Sequence, residues 1–255
     1  MFNLKPIALV GGTVVCSVGF LLFIPLITEI FYMTDSWQSY VVPILIYLIV
    51  GGSLVIINRN TELKISIKEA FIITVLSWLL LSILCAIPFM YTQSNLSAVD
   101  SLFESMSGIT TTGSTVLNNL DELPKGILIW RALLQWLGGI GIVVIALIIL
   151  PFLRIGGMQL FHLEGDDPYD KFLPKISSVI SKIFLIYIIL TLILFCLYYV
   201  NGMTFFDSIA HSFTTISTGG FSTHNESFAY FNSQPILIIA IIFMVLGSFP
   251  FLVLA

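Results

Sequence analysis

Six stretches of this chain are too long, too apolar and too poor in charge to fold in water: 7–28, 40–57, 69–91, 126–153, 176–200 and 235–255. Three carry no charged residue, and the others carry one each: Glu69, Arg131 and Lys182. A helix crosses the hydrocarbon core of a bilayer in about 20 residues, so each stretch reads as a transmembrane span. Composition agrees. Of the 255 residues, 58% are hydrophobic and 9% charged, whereas a soluble domain carries about 25% charged residues. Lipid cannot satisfy free backbone groups, and the two-residue alternation of barrel strands is absent, so the expected fold is all-α, a polytopic transmembrane helical bundle. Lys5 and the apolar run from Ile7 have the look of a signal peptide. That run is about twice the usual length and lacks a small-residue cleavage site, so it is read as a retained first span.

The basic residues set an orientation. With the N-terminus in the cytoplasm, Lys5, Arg59, Lys64, Lys68, Arg154, Lys171, Lys175 and Lys182 lie inside, and only Lys125 and Arg131 lie outside. Eight acids then face outward or lie near the outer surface: Glu29, Asp35, Asp100, Glu104, Asp121, Glu122, Asp207 and Glu226. An acidic outer side concentrates cations, although solvated loop charge accounts for the same skew.

The outer side also carries one polar sentence twice. "DSLFESMSGITTTGST" runs from Asp100 to Thr115, and "DSIAHSFTTISTGGFS" runs from Asp207 to Ser222, 107 residues later. Aligned without a gap, Asp100 meets Asp207, Ser105 meets Ser212, Ile109 meets Ile216, Thr111 meets Thr218 and Gly113 meets Gly220. Each copy sits in a connection of about 34 residues between two spans, long enough to have structure of its own. Asp100-Ser101 and Asp207-Ser208 are predicted helix starts. The short apolar stripe that follows, Leu102, Phe103 and Met106 or Ile209 and Phe213, suits a re-entrant helix that dips in from outside. Each helix is expected to stop at a Thr/Ser-Gly cluster: Thr110, Thr111, Thr112 and Gly113, then Ser217, Thr218, Gly219 and Gly220. Helix C-termini aimed inward favour a cation, and an extended Thr-Gly backbone offers carbonyl oxygens in place of a hydration shell. Glycine permits backbone angles that a Cβ resists. The unit is thus span, pore loop, span, written twice, as in transporters built from internal repeats. Polar outer loops whose Thr and Gly merely make turns are the alternative.

"SMSGITTTGST", "LPKGILIWRALLQWLGGIGIVVIALIILPFLRIGGMQLF" and "HSFTTISTGGFSTHN" resemble the membrane subunit of the bacterial Trk potassium uptake system, the TrkH/TrkG family. The resemblance covers nearly the whole chain and includes two spans ahead of the first repeat. It implies four span-loop-span repeats around one pore, each giving a filter strand with a central glycine, here Gly113 and Gly220. It implies K⁺ as the transported ion, with a Na⁺-permeable relative as the alternative. It further implies a cytosolic nucleotide-binding regulatory subunit of the TrkA type, a homodimer of the full-length protein, membrane lipid rather than nucleic acid as surroundings, and the bacterial inner membrane as location. The expected organisation is 1–64, two leading spans; 65–155, the first repeat; 156–175, a cytoplasmic connector; and 176–255, the second repeat. The sequence ends at Ala255 inside an apolar run, and the third and fourth repeats have no counterpart, so these residues are not expected to conduct alone.

Other residues are read structurally. Trp130, Arg131 and Trp136 are expected to anchor the fourth span at the interface rather than to act on an ion path. "LGGIGI", with Gly138, Gly139 and Gly141, suggests close helix packing, including an approach to the pore helix. Cys16, Cys85 and Cys196 lie in apolar runs without CxxC spacing and read as small buried hydrophobes. His162, Glu164, Asp166, Asp167 and Asp170 in the cytoplasmic segment are a weak metal signal and suit a docking or hinge segment better. No nucleophile-plus-base arrangement appears, so a polytopic membrane enzyme would rest only on polar outer loops. An assembly or sensor subunit remains a third reading.

Overall fold

A computed structural model describes the chain over residues 4–61, 67–92, 96–149 and 168–249. Among these described residues nine α-helices follow in order: α1 (Leu4–Leu21), α2 (Phe23–Phe31), α3 (Gln38–Asn58), α4 (Ile67–Tyr91), α5 (Ala98–Ile109), α6 (Lys125–Ile149), α7 (Pro168–Val200), α8 (Phe205–Ile216) and α9 (Gln234–Ser248). Among the described residues five helical stretches are long and apolar enough to cross a membrane: Leu4–Phe31, Asp35–Asn58, Glu69–Tyr91, Lys125–Val143 and Ser178–Val200. The sixth expected span, 235–255, is represented by the 15-residue α9, and 250–255 lie outside the described residues. The metal or docking segment containing His162, Glu164, Asp166 and Asp167 also lies outside them, and nothing is described of the Asp170 side chain.

The break between α1 and α2 has a local cause. Pro25 has no N–H to return to the carbonyl of Leu21, so the helix slackens at Leu22 while Leu26 N resumes the ladder onto Leu22 O at 3.2 Å. The leading pair, α1 with α3, packs side by side, and α4 and α2 join it to the rest.

Span α6 is the axis of the molecule. It packs against α2, α4, α5, α7 and α8 and is the most buried of the five spans. Its residues Ile127 to Gln135 are all buried, whereas Ile46 on α3, Ile83 on α4, Leu192 on α7 and Ile241 on α9 face outward and are exposed. Those outer faces are the ones a bilayer would cover.

The short helices α5 and α8 have 12 residues each, and each lies between two apolar spans. Both start three residues earlier than the aspartates suggested. The caps are Ser97 and Thr204, whose hydroxyl oxygens accept from the amides of Asp100 at 3.2 Å and Asp207 at 3.1 Å. Each hydroxyl donates in return to the aspartate carboxylate, at 2.7 and 2.6 Å. Asp100 and Asp207 are therefore the third residues of a reciprocal cap. Ser97 and Thr204 are also 107 positions apart, so the repeat extends further upstream than its quoted letters.

The cysteines divide by environment. Cys85 is buried, Cys16 half-buried and Cys196 exposed on α7, so only Cys85 fits the expected buried hydrophobe.

Candidate ion pathway

Helices α5 and α8 end in the same turn. Thr112 N donates to Ser107 O at 2.9 Å and Thr111 N to Gly108 O at 3.0 Å; in the second copy Gly219 N donates to Thr214 O at 2.8 Å and Thr218 N to Thr215 O at 3.0 Å. These paired bonds form a Schellman closure, which requires a left-handed residue directly after the cap. Glycine usually fills that place. Here threonine does, with φ of 55° at Thr111 and 53° at Thr218. A β-branched residue in that region is strained, and such strain persists only where the surroundings hold it. Gly113 and Gly220 follow at φ 80° and 83°, so the two segments share backbone conformation as well as sequence.

The two segments also meet. A Cβ added to Gly113 would overlap the carbonyl oxygen of Gly219 and stand 3.7 Å from the Cα of Gly220. A Cβ on Gly220 would meet nothing within 4 Å, so that strand is open on its far side. Thr110, Thr112, Thr218 and Gly220 are exposed, Thr111 and Gly113 half-buried, and Ser217 and Gly219 buried. Ser217 turns its hydroxyl back to Phe213 O at 2.8 Å and backs onto Gly139 of α6.

Glycines bring the second span of each repeat onto its short helix. A Cβ at Gly138 of α6 would overlap the carbonyl oxygen of Ile109, and one at Gly247 of α9 would overlap that of Ile216. These are the last residues of α5 and α8. The expected close packing thus falls on Gly138 and Gly139, while Gly141 faces open space.

The polar residues of α6 brace both strands. Gln135 donates from Nε2 to Gly219 O at 2.8 Å and accepts from Phe221 N at 3.0 Å, holding the second strand by donor and acceptor at once. One turn earlier, Arg131 is 1% exposed and pairs through Nε with Oε1 of the fully buried Glu104 at 2.8 Å. Its other nitrogens donate to Ser222 O at 3.0 Å and Thr115 Oγ1 at 3.1 Å, and the guanidinium lies 4.2 Å over the Phe221 ring. Trp130 and Trp136 likewise point into protein, donating to Cys85 O at 3.1 Å and Thr191 Oγ1 at 3.0 Å. The expectation of interfacial anchors is therefore corrected. A buried guanidinium needs its hydrogen bonds satisfied, and here a carboxylate, a carbonyl and a hydroxyl take the place of water. Nor is Arg131 an outer-loop base. Glu29, Glu104 and Asp207 are buried as well, so three of the eight outer acids are not loop charge in solvent.

Beyond the strands, the loop segments around Asp121 and His224 interlock. His224 Nδ1 lies 2.5 Å from Asp121 Oδ1, its ring stacks on Tyr230 at 3.5 Å, and Asn225 donates from Nδ2 to Asp121 Oδ2 at 2.9 Å while accepting from Leu120 N at 2.9 Å. The hydrogen bond from His224 holds the Asp121 carboxyl below its ordinary value. His211 sits fully buried between Asp207 O at 2.9 Å and Ser222 Oγ at 3.0 Å.

Gln135, Arg131 with Glu104, and the pair Thr115 and Ser222 were not singled out as a site from the sequence. The signal was present in two places. Arg131 and Gln135 are polar residues four apart in an otherwise apolar span, and such residues face protein. Thr115 and Ser222 occupy the last matched position of the two quoted stretches.

These features define a class first: polytopic membrane proteins built from span, re-entrant helix and span, with strained backbone between the last two. The comparisons narrow it. Residues 37–255 match the family described as TrkH, cation transport protein. The Trk system potassium uptake protein TrkH of Escherichia coli (strain K12) is 38% identical over 249 residues, 96% of this chain and 52% of that protein. The Trk system potassium uptake protein TrkG of the same organism is 35% identical over 230 residues, 89% of this chain and 47% of that protein. The crystal structure of the potassium transporter TrkH from Vibrio parahaemolyticus superposes with a TM-score of 0.87 at 34% identity, covering 98% of this chain and 51% of that one. The chain belongs to the TrkH family of cation transport proteins. It spans about half the length of the relatives it matches.

Proposed function

We propose that these residues form two of the strands of a potassium-selective path used for K⁺ uptake, with Thr110, Thr111, Thr112 and Gly113 in one strand and Ser217, Thr218, Gly219 and Gly220 in the other. The observation that carries the reading is the meeting of Gly113 with Gly219: two backbone segments in the same strained conformation, side by side at the ends of two short helices. Backbone held in this way presents fixed oxygens to a desolvating cation without reorganisation. The open side of Gly220 is where further strands would complete the ring. In this reading 1–64 are leading spans, 65–155 and 176–255 the two repeats and 156–175 a cytoplasmic connector. The protein sits in the bacterial inner membrane with its N-terminus in the cytoplasm. Its partners are a TrkA-type nucleotide-binding regulatory subunit on the inner face and a second copy of the full-length subunit.

The test is ⁸⁶Rb⁺ uptake in potassium-uptake-deficient bacteria expressing the complete reading frame that contains these residues. Uptake that K⁺ outcompetes more strongly than Na⁺ is expected. Absence of uptake in cells that insert the protein would favour an assembly or sensor role.

A further inference from the structure

Arg131 makes contacts that the repeat itself explains. Its Nη2 reaches Thr115 and its Nη1 reaches Ser222, and these two residues are the same position of the two copies, 107 apart and two residues beyond Gly113 and Gly220. One rigid fork therefore touches both strands at one register. The third nitrogen is taken by Glu104, which also accepts from Thr115 Oγ1 at 2.9 and 3.0 Å and from Val116 N at 3.1 Å. In the second copy the residue aligned with Glu104 is His211, and it reaches the aligned hydroxyl, Ser222 Oγ, at 3.0 Å. Both short helices thus hold their own strand from position 104 or 211, but only the first brings a charge, and that charge faces Arg131.

We propose that Arg131 is a positioning residue for ion selectivity: it staples the two strands at a common register and sets their separation, while Glu104 cancels its charge beside the cation path. The proposal rests on the filter reading above and adds two separable consequences. The spacing depends on the fork, because five donors in a fixed plane can hold two acceptors and a carboxylate together, which a lysine ammonium on a flexible stem cannot. Cation flux depends on the charge balance, because an unpaired buried cation close to the path opposes entry of another.

The experiment compares Glu104→Gln, Arg131→Lys and the double change Glu104→Gln/Arg131→Gln in the complete reading frame. It measures ⁸⁶Rb⁺ uptake in cells and the Na⁺/K⁺ permeability ratio from bi-ionic reversal potentials in proteoliposomes. Glu104→Gln should lower uptake by roughly tenfold or more, the scale of a lost charge-assisted pair. The double change should recover a large part of that uptake, since it leaves no charge, yet keep a raised Na⁺/K⁺ ratio, since the staple is gone. Arg131→Lys should raise the ratio while retaining the charge. A parental ratio in both Arg131→Lys and the double variant overturns the proposal. So does failure of Arg131→Lys to accumulate in the membrane, which would mark the pair as a folding element only. If the unmutated protein shows no selective uptake, it is the filter reading that falls.

Discussion

The two copies of the polar sentence build one backbone by different means. Both short helices start on a hydroxyl cap that trades hydrogen bonds with an aspartate, both end in a left-handed threonine, and both place a glycine near φ 80° two residues later. Beyond that they diverge. The first strand is held by its own helix through Ser107 Oγ on Ser114 O at 2.5 Å and by Glu104. The second is also tied to its own helix, through His211 and Asp207, but adds a neighbour: Gln135 grips Gly219 and Phe221 from α6, which belongs to the first repeat. The spans differ in the same way. In the register that pairs Gly138 with Gly247, Arg131 and Gln135 of α6 give way to the apolar Ala240 and Met244 of α9. A repeat conserves the shape of the loop, and the supporting polar groups gather on whichever span is buried between the copies. In lipid an unpaired polar side chain is costly, so only the enclosed span can carry them.

The sharpest way to break this comparison is at the glycines. Gly113→Ala adds a methyl group that meets the carbonyl of Gly219, whereas Gly220→Ala meets open space in this half and bears mainly the backbone penalty, about 1–3 kcal/mol. ⁸⁶Rb⁺ uptake should be abolished by the first and reduced less by the second; equal losses would remove the asymmetry. Next is Gln135→Leu, which leaves Gly219 O and Phe221 N buried without this partner, at about 1–3 kcal/mol for each group. Its thermal midpoint in detergent should fall, with the Na⁺/K⁺ ratio shifting in the same variant.

Smaller effects are expected at the strained turns. Thr111→Gly and Thr218→Gly each relieve a left-handed β-branched residue, so each should raise stability by about 1 kcal/mol, seen as a higher thermal midpoint. The gains should be alike, because this is where the copies match most closely. The smallest effect concerns the loops around Asp121 and His224. The Asp121 carboxyl is held below its ordinary value, so the tie to His224 is fully present above that value and is lost as pH falls through the lowered one. Hydrogen-exchange protection at Leu120 and Asn225, corrected for intrinsic rate, should drop across that acidic window, and Asp121→Asn should remove the step.

Much of this was legible in the letters, and the reasons are local. Apolar length is a one-dimensional property, so the spans could be placed by counting, and the break at Pro25 was the change of shape that counting could not show. The ungapped match of the two polar stretches announced a repeated backbone, and Gly113 and Gly220 marked two of its four left-handed positions; Thr111 and Thr218, whose residue type gives no such sign, hold the other two. The caps were misplaced by three residues because Asp at the third helical position and Ser or Thr at the cap share the same hydrogen bonds, and the aspartate is the more conspicuous of the two. Trp130, Arg131 and Trp136 were misjudged for a different reason. Near the end of a span, a guanidinium flanked by indoles has the same letters whether it snorkels to the surface or turns inward to a carboxylate.

The sequence by itself determined that the chain is helical, lies in a membrane and uses one strained loop twice, because hydropathy, capping chemistry and glycine conformations act over a few residues. Only the tertiary structure decided that the two loops lie against each other, that Arg131 reaches the same position of both, and that Gln135 serves the strand of the other repeat. The contacts of Arg131 and Gln135 with the second strand join residues 84 to 91 positions apart. Their partners are chosen by which surfaces α6 buries, a property of packing that no short stretch of letters contains.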